Sequence, residues 1–357
     1  ALDAAMRAVD PAAVTAAVEA MRTLLGDQAG VPDARRPGRH APVIQRTVDG
    51  KVGAGGISSS ARVARWSRSV LSRSGVSGVS STSRSSVVVV DYFAGAVLKN
   101  CVTSLQREDP RGIVVVDNST EGASAATLSG YDVSVVETMH NLGYGRAMNR
   151  GVAVAPHSEF LLLSNPDIEV HHGALSALER HLDDHPDVAL VGPTILDAEG
   201  NTYPSIRVFP NVFLAGLHAL CAPWWPNNPF TRRYRQPRRD GHIDWVSGAC
   251  VLVRREAFQR VGGFDERYFM FAEDMDLCWR LQRSGYLIGH EHGAVITHIE
   301  GVSRRRAPRM MVRAHHFSAM RFEWRTSTGW RRLMAPLAIV VLGLRYILVS
   351  SLSRFRS

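Results

Sequence analysis

IVVVDNSTEG, residues 113–122, sets four consecutive β-branched residues directly before an aspartate, an asparagine and a run of small polar residues. A strand with one wet face alternates apolar and polar side chains. An unbroken apolar run belongs instead to a strand covered on both faces, and helices are what cover it. Comparable runs recur at VVVV (87–90), VSVVE (133–137), FLLLSNPD (160–167) and VALVGP (188–193). Between them the patterning predicts helices over 96–106, 145–155 and 173–185. Strands alternating with helices make an α/β domain with a mostly parallel sheet. In such sheets ligands bind beyond the carboxyl ends of the strands. Asp91, Asp117 with Asn118, and Asn165 with Asp167 all stand at those ends.

The 357 residues suffice for one large domain or two ordinary ones. Residues 1–30 are Ala-rich and read as a short helical segment. Residues 31–86 are rich in Ser, Gly, Arg and Pro, too poor in apolar side chains to bury a core, and read as a disordered linker. The α/β pattern then occupies 87–303, followed by a basic and apolar helical tail at 304–357. Charge follows the same division. Residues 1–86 carry 12 basic and 6 acidic groups, 87–299 carry 18 and 25, and 300–357 carry 12 and 2. An acidic middle does not suit nucleic acid, which needs a basic face. It suits a phosphorylated ligand if a divalent cation supplies the positive charge. Cys101, Cys221, Cys250 and Cys278 form no CxxC pair, which argues against a zinc site and fits a reducing compartment. The opening ALDAAMRAVD has no basic segment before an apolar core, so no secretory leader is read there.

Four stretches carry chemistry. Asp117, at a strand end, has the geometry to accept the imide N–H of uracil or thymine; an ordinary Asp–Asn turn is the alternative. NLGYGRAMNRG (141–151) joins a glycine-containing loop to a helix start, where backbone amides favour phosphate, although it is not the dinucleotide GxGxxG spacing. In LLLSNPDIEV (161–170) Pro166 stiffens the turn after the strand, so Asp167 leaves in a fixed direction. One carboxylate with diphosphate oxygens and water is an ordinary way to hold Mg²⁺ or Mn²⁺. RYFMFAEDMDLCWRL (267–281) places Glu273, Asp274 and Asp276 in an apolar setting. Acids there either complement a helix start or supply a base in a dry cleft, and one helix start can do both.

VVVVDYFAG, VVVDNS, NLGYGRAMNRG, NPD and GGFDERYFMFAEDMDL, in that order, resemble the inverting family 2 glycosyltransferases of GT-A fold, over residues 87 to about 300. More narrowly, YPSIRVFPN, PWWPNNPFTRRYRQ and WVSGACVLVRR resemble actinobacterial enzymes that move L-rhamnose from dTDP-L-rhamnose to a polyprenyl-diphospho-N-acetylglucosamine during arabinogalactan linker synthesis. The resemblance implies a donor site formed by Tyr92, Asp117, Asn118, Asn141, Gly143, Asn149 and Asn165. It implies a Mg²⁺ or Mn²⁺ site at Asp167 and His298, and an acceptor site bordered by Trp245, Ser247 and Gly248. Asp274 would be the catalytic base, with Glu273 beside it. Asp91 departs from the family pattern, which more often has a small polar residue there.

The tail adds an arginine-rich segment, residues 304–332 with Glu323 the only acid, and then LMAPLAIVVLGL (333–344). An apolar run of 12, interrupted by Arg345, is short for a membrane span. With basic flanks it suits docking on an anionic membrane surface, so the expected location is peripheral, on the cytoplasmic face of the plasma membrane. A true span and packing on the globule are the other readings of the tail. Two functional alternatives remain: a family 2 transferase using another nucleotide sugar such as UDP-galactofuranose, and an inactive nucleotide-sugar-binding scaffold.

Overall fold

The valine run becomes β2 (Ser85–Asp91), buried along its whole length. Its neighbours are β3 (Ile113–Asp117), β4 (Ser134–Glu137) and β5 (Phe160–Ser164), and the order β4-β3-β2-β5 is parallel throughout. The computed structural model describes residues 83–209, 242–299 and 308–329, together with 44–46, 225, 228, 229, 332, 333, 336, 340 and 343. Val87 and Val89 face one layer of the core, with Leu98 and Leu105 of α1 (Ala96–Gln106). Leu175, Leu178 and Leu182, on the helix Ala174–Asp184, belong to the same layer. Val88 and Val90 face the other layer, with Met148 and Val152 of the helix that follows β4. Two covered faces account for the unbroken valines.

A short α2 (Ala123–Thr127) follows β3, and α3 (Tyr144–Val154) follows β4. Helix α3 lies close on the sheet because of Gly151. A Cβ there would stand 2.3 Å from Val88 Cγ1 and 2.8 Å from Val116 Cγ2.

The second half of the sheet is mixed, which corrects the expectation of a mostly parallel one. Its elements are β6 (Ile168–Val170), α4 (Ala174–Asp184), β7 (Val188–Leu196), β8 (Thr202–Tyr203), β9 (Ile206–Arg207), β10 (Trp245–Val246), β11 (Cys250–Arg254), α5 (Arg255–Arg260), α6 (Glu273–Arg283) and β12 (Leu287–His298). Strand β11 runs antiparallel between β5 and β7, β12 runs parallel to β7, and β6 pairs antiparallel with the end of β12. An apolar run looks the same in either direction; the connections decide which way it runs. Strands β9 and β10 form a separate two-stranded ribbon.

Where the expected linker ends, at residue 86, strand β2 is already under way from Ser85, and the Ser83 and Ser85 hydroxyls donate to Glu179 Oε1 at 2.8 and 2.6 Å. Serine composition suggests solvent, yet a buried carboxylate on α4 gives these hydroxyls a partner. Strand β1 (Ile44–Arg46) falls inside the same expected linker and pairs antiparallel with β4. The expected helical segment at 1–30 lies outside the described residues.

Helix α7 (Pro308–Thr326) packs on the globule despite its arginines, burying Met311, Ala314, Met320 and Phe322. Phe322 clusters with Tyr268 and Ala272, the Ser318 hydroxyl donates to the Met270 carbonyl at 2.8 Å, and Arg325 pairs with Asp265 and, at 3.1 Å, with Asp276. Most of 333–353 lies outside the described residues. No helix among the described residues is long and apolar enough to cross a membrane.

Candidate active site

Strand order reverses at β2, which pairs with β3 on one side and β5 on the other. The crevice at the carboxyl ends of these strands is where open α/β sheets take ligands. Asp117 ends β3 there, and its buried carboxylate accepts the Ser119 N–H at 3.0 Å and the Ser124 N–H at 2.8 Å. It therefore shapes the loop 118–124 and retains free lone pairs on each oxygen. Asp91, the departure from the family pattern, accepts the Ala94 N–H at 2.9 Å and the Ser124 hydroxyl at 2.7 Å. Burial, and to a smaller extent the nearby Asp117, push its pKa up. Tyr92 stacks edge-on to Phe93 at the same strand end.

Asn118 ties this end to the next loop. Its Nδ2 donates to Asn141 Oδ1 at 3.1 Å and to the Gly143 carbonyl at 3.3 Å, and its Oδ1 accepts the Leu142 N–H at 2.9 Å. Asn141 Oδ1 in turn accepts the Gly143 N–H at 2.9 Å. Gly143 precedes α3 at φ +84°, and a Cβ there would lie 2.2 Å from the Phe269 carbonyl oxygen. Only glycine allows that approach. Tyr144 continues the chain: its N–H donates to Phe269 O at 2.9 Å and its hydroxyl to the Gly248 carbonyl at 3.2 Å. Asn149, expected at the donor site, is held by the backbone of a distant turn. Its amide clasps the Phe264 backbone, donating to the carbonyl and accepting the N–H, both at 2.9 Å. It holds the GGFDE turn.

The three acids of α6 separate in space. Asp276 is fully buried and structural, with Arg280 Nε at 2.6 Å and Arg325 Nη1 at 3.1 Å. Asp274 Oδ2 accepts the Gly248 N–H at 2.9 Å and its Oδ1 accepts the Met275 N–H at 2.8 Å. A Cβ on Gly248 would stand 2.8 Å from Asp274 Cβ, so the glycine permits this contact. Burial raises the Asp274 pKa, opposed by the two amides and by the charge of Arg207. Glu273 is buried with Oε2 unpartnered, and burial followed by the neighbouring Asp274 raises its pKa to about 8. The pair is thus held above the usual carboxylate range, which favours proton transfer near neutrality. Phe271 and Ala272, immediately before the helix, both adopt left-handed backbone, at φ 68° and 62°. Strain of that kind in non-glycine residues persists where packing fixes it, and the loop here is held by α7.

Two residues 131 apart in sequence meet beside the β5 end: His298 Nε2 lies 3.1 Å from Asp167 Oδ1, because β6 pairs with the end of β12. Asn165 N–H donates to the Ala249 carbonyl at 2.8 Å, joining this turn to the Ser247–Gly248 turn. Ser247 N–H donates to Ser205 O at 2.9 Å, and Trp245, nearly buried, donates from Nε1 to Val208 O at 3.1 Å. No group of three or more His, Cys, Asp or Glu that could hold a metal ion occurs among the described residues. Asp167 and His298 offer one oxygen and one nitrogen, donor types that fit Mg²⁺ or Mn²⁺. Sequence reasoning gave no role to Arg207 or Tyr144, because neither residue type advertises a site and their placement depends on the β9–β10 ribbon and on the packing of α3.

Residues 86–262 match the profile of glycosyl transferase family 2. The chain is 38% identical over 268 residues to the N-acetylglucosaminyl-diphospho-decaprenol L-rhamnosyltransferase of Mycobacterium tuberculosis, covering 70% of this chain and 87% of that one. It is 30% identical over 203 residues to the pre-mycofactocin glycosyltransferase of the same organism, covering 56% of this chain and 39% of that one. Among solved structures, the mannosyltransferase PcManGT from Pyrobaculum calidifontis superposes with a TM-score of 0.48 at 16% identity, over 76% of this chain and 74% of that one. The profile and the long match to the rhamnosyltransferase agree, and this chain belongs to glycosyl transferase family 2.

Proposed function

We propose that this chain transfers L-rhamnose, with inversion, from dTDP-L-rhamnose to polyprenyl-diphospho-N-acetylglucosamine, a step in building the cell-wall arabinogalactan linker. The observation that carries the proposal is the 38% identity to the mycobacterial rhamnosyltransferase, which spans 87% of that enzyme. The placement of Asp274 supports the chemistry. Asp274 removes the proton from the acceptor hydroxyl, and that oxygen attacks the anomeric carbon as the nucleoside diphosphate leaves from the opposite face. One displacement inverts the centre and needs one base and no enzyme nucleophile. Glu273, buried beside Asp274, keeps the pair basic enough for that task. The donor is bound by the β2 and β3 ends and the 141–143 loop: Asp117 meets the base, while Tyr92, Asn118, Asn141, Gly143 and Asn165 line its path and Asn149 supports it from the GGFDE turn.

Asp167 and His298 would hold Mg²⁺ or Mn²⁺, which would supply positive charge for the departing diphosphate. Trp245, Ser247 and Gly248 border the acceptor. A lipid-linked acceptor places the enzyme at the cytoplasmic face of the membrane, with the basic tail against anionic lipid.

The test is rhamnosyl transfer from dTDP-L-rhamnose to a polyprenyl-diphospho-N-acetylglucosamine with Mg²⁺ or Mn²⁺, comparing wild type with Asp274→Asn. Transfer by wild type, lost in a folded variant that still binds dTDP, is the expected result. Transfer from another nucleotide sugar alone would remove the rhamnose assignment. Full activity in Asp274→Asn would remove the base.

A further inference from the structure

Arg207 sits on the β9–β10 ribbon directly opposite Trp245. Three residues hold its guanidinium. It lies over the Trp245 ring at 5.3 Å and the Tyr203 ring at 5.5 Å, donates from Nη2 to the Tyr203 hydroxyl at 2.7 Å, and donates from Nε to the Pro204 carbonyl at 3.1 Å. Each of these partners is neutral, and among the described residues no carboxylate forms an ion pair with it. Even so, its charge reaches Asp274. An arginine placed for stability alone is ordinarily matched by an acid or turned to water. Here aromatic stacking pre-orders a bare cation at the edge of the acceptor site, and a pre-ordered fork loses little entropy when it takes a phosphate.

We infer that Arg207 binds the diphosphate of the lipid-linked acceptor and thereby sets the acceptor hydroxyl against Asp274. The inference rests on the acceptor assigned above. In that acceptor the diphosphate is attached to the same sugar that carries the attacking hydroxyl. A cation and a base that serve such a substrate must therefore stand about one sugar ring apart, close enough for each to feel the other's charge. The charge of Arg207 then has two consequences: it recognises the phosphate, and it opposes the burial that raises the Asp274 pKa.

The experiment compares two acceptors, a short-chain prenyl-diphospho-N-acetylglucosamine and a neutral alkyl glycoside of the same sugar, in wild type, Arg207→Gln and Arg207→Lys. The readout is the ratio of kcat/KM for the two acceptors. Removing a charge-assisted contact lowers that ratio by roughly tenfold or more in Arg207→Gln, chiefly through the KM of the diphosphate acceptor, with part of it kept in Arg207→Lys. If both acceptors lose equally and the ratio stands, Arg207 only supports the ribbon or tunes Asp274, and the inference fails. Binding of the two acceptors, followed by calorimetry with dTDP and Mg²⁺ present, separates this from the donor assignment. Should wild type fail to transfer rhamnose, a diphosphate preference in binding that Arg207→Gln abolishes still supports the inference. A preference that persists, or one absent from wild type, overturns it.

Discussion

Replacing Glu273 by Gln raises thermal stability at alkaline pH and leaves it nearly unchanged at pH 5. The folded carboxyl ionises near 8, against an ordinary value of 4.5, because its burial disfavours the charge and Asp274 adds repulsion. The folded protein therefore keeps a proton that the unfolded chain gives up. That contribution is fully present below 4.5 and is lost as pH rises through about 8. At ~1.36 kcal/mol per pH unit the upper bound is about 5 kcal/mol; Asp274 shares the burden and local water relaxes it, so about 2 kcal/mol is the working magnitude. In a domain of this size that corresponds to roughly 4–8 °C in Tm. Gln keeps the shape of the neutral acid and cannot ionise. Melting curves of wild type and Glu273→Gln from pH 5 to pH 9 should diverge from about pH 5 and level off above about pH 8, with the variant the more stable. A difference that stays flat across that range would refute the burial argument, and so would a wild type that gains stability toward pH 9.

Two further outcomes follow from the geometry. His298→Ala should raise the Mg²⁺ or Mn²⁺ concentration for half-maximal activity at least roughly tenfold, and a chelator should silence the wild type; an unchanged metal requirement would place the cation elsewhere. Gly143→Ala forces a left-handed alanine with its Cβ against the Phe269 carbonyl, so urea unfolding should show a loss of about 2–4 kcal/mol together with weakened nucleotide binding.

Much of the fold is legible in the apolar runs, because they are short and rich in β-branched residues, which suits a strand covered on both faces better than a buried helix. Residues 87–90, 113–117 and 160–164 become strands and 96–106 a helix where the pattern places them. Direction is not written in such runs, so β11 antiparallel between β5 and β7 is decided by connections. Composition misleads at Ser83–Ser86, where the partner, Glu179, lies almost a hundred residues away.

The site divides in the same way. Motif spacing alone determines the acid cluster and the NPD turn, since each requirement is local: a helix start and a stiff turn after a strand. The glycines at 143 and 248 stand in the motifs too, but what demands them is a distant partner, Phe269 for one and Asp274 for the other. Only the tertiary structure decides which acid accepts the Gly248 N–H and which is locked into ion pairs with Arg280 and Arg325, because all three share one helical turn. It also brings His298 to Asp167, turns Asn149 toward Phe264, and stacks Arg207 on Trp245. These are contacts between distant segments, made by strand pairing and helix packing, and short-range pattern holds no record of which partners the folded chain will bring together.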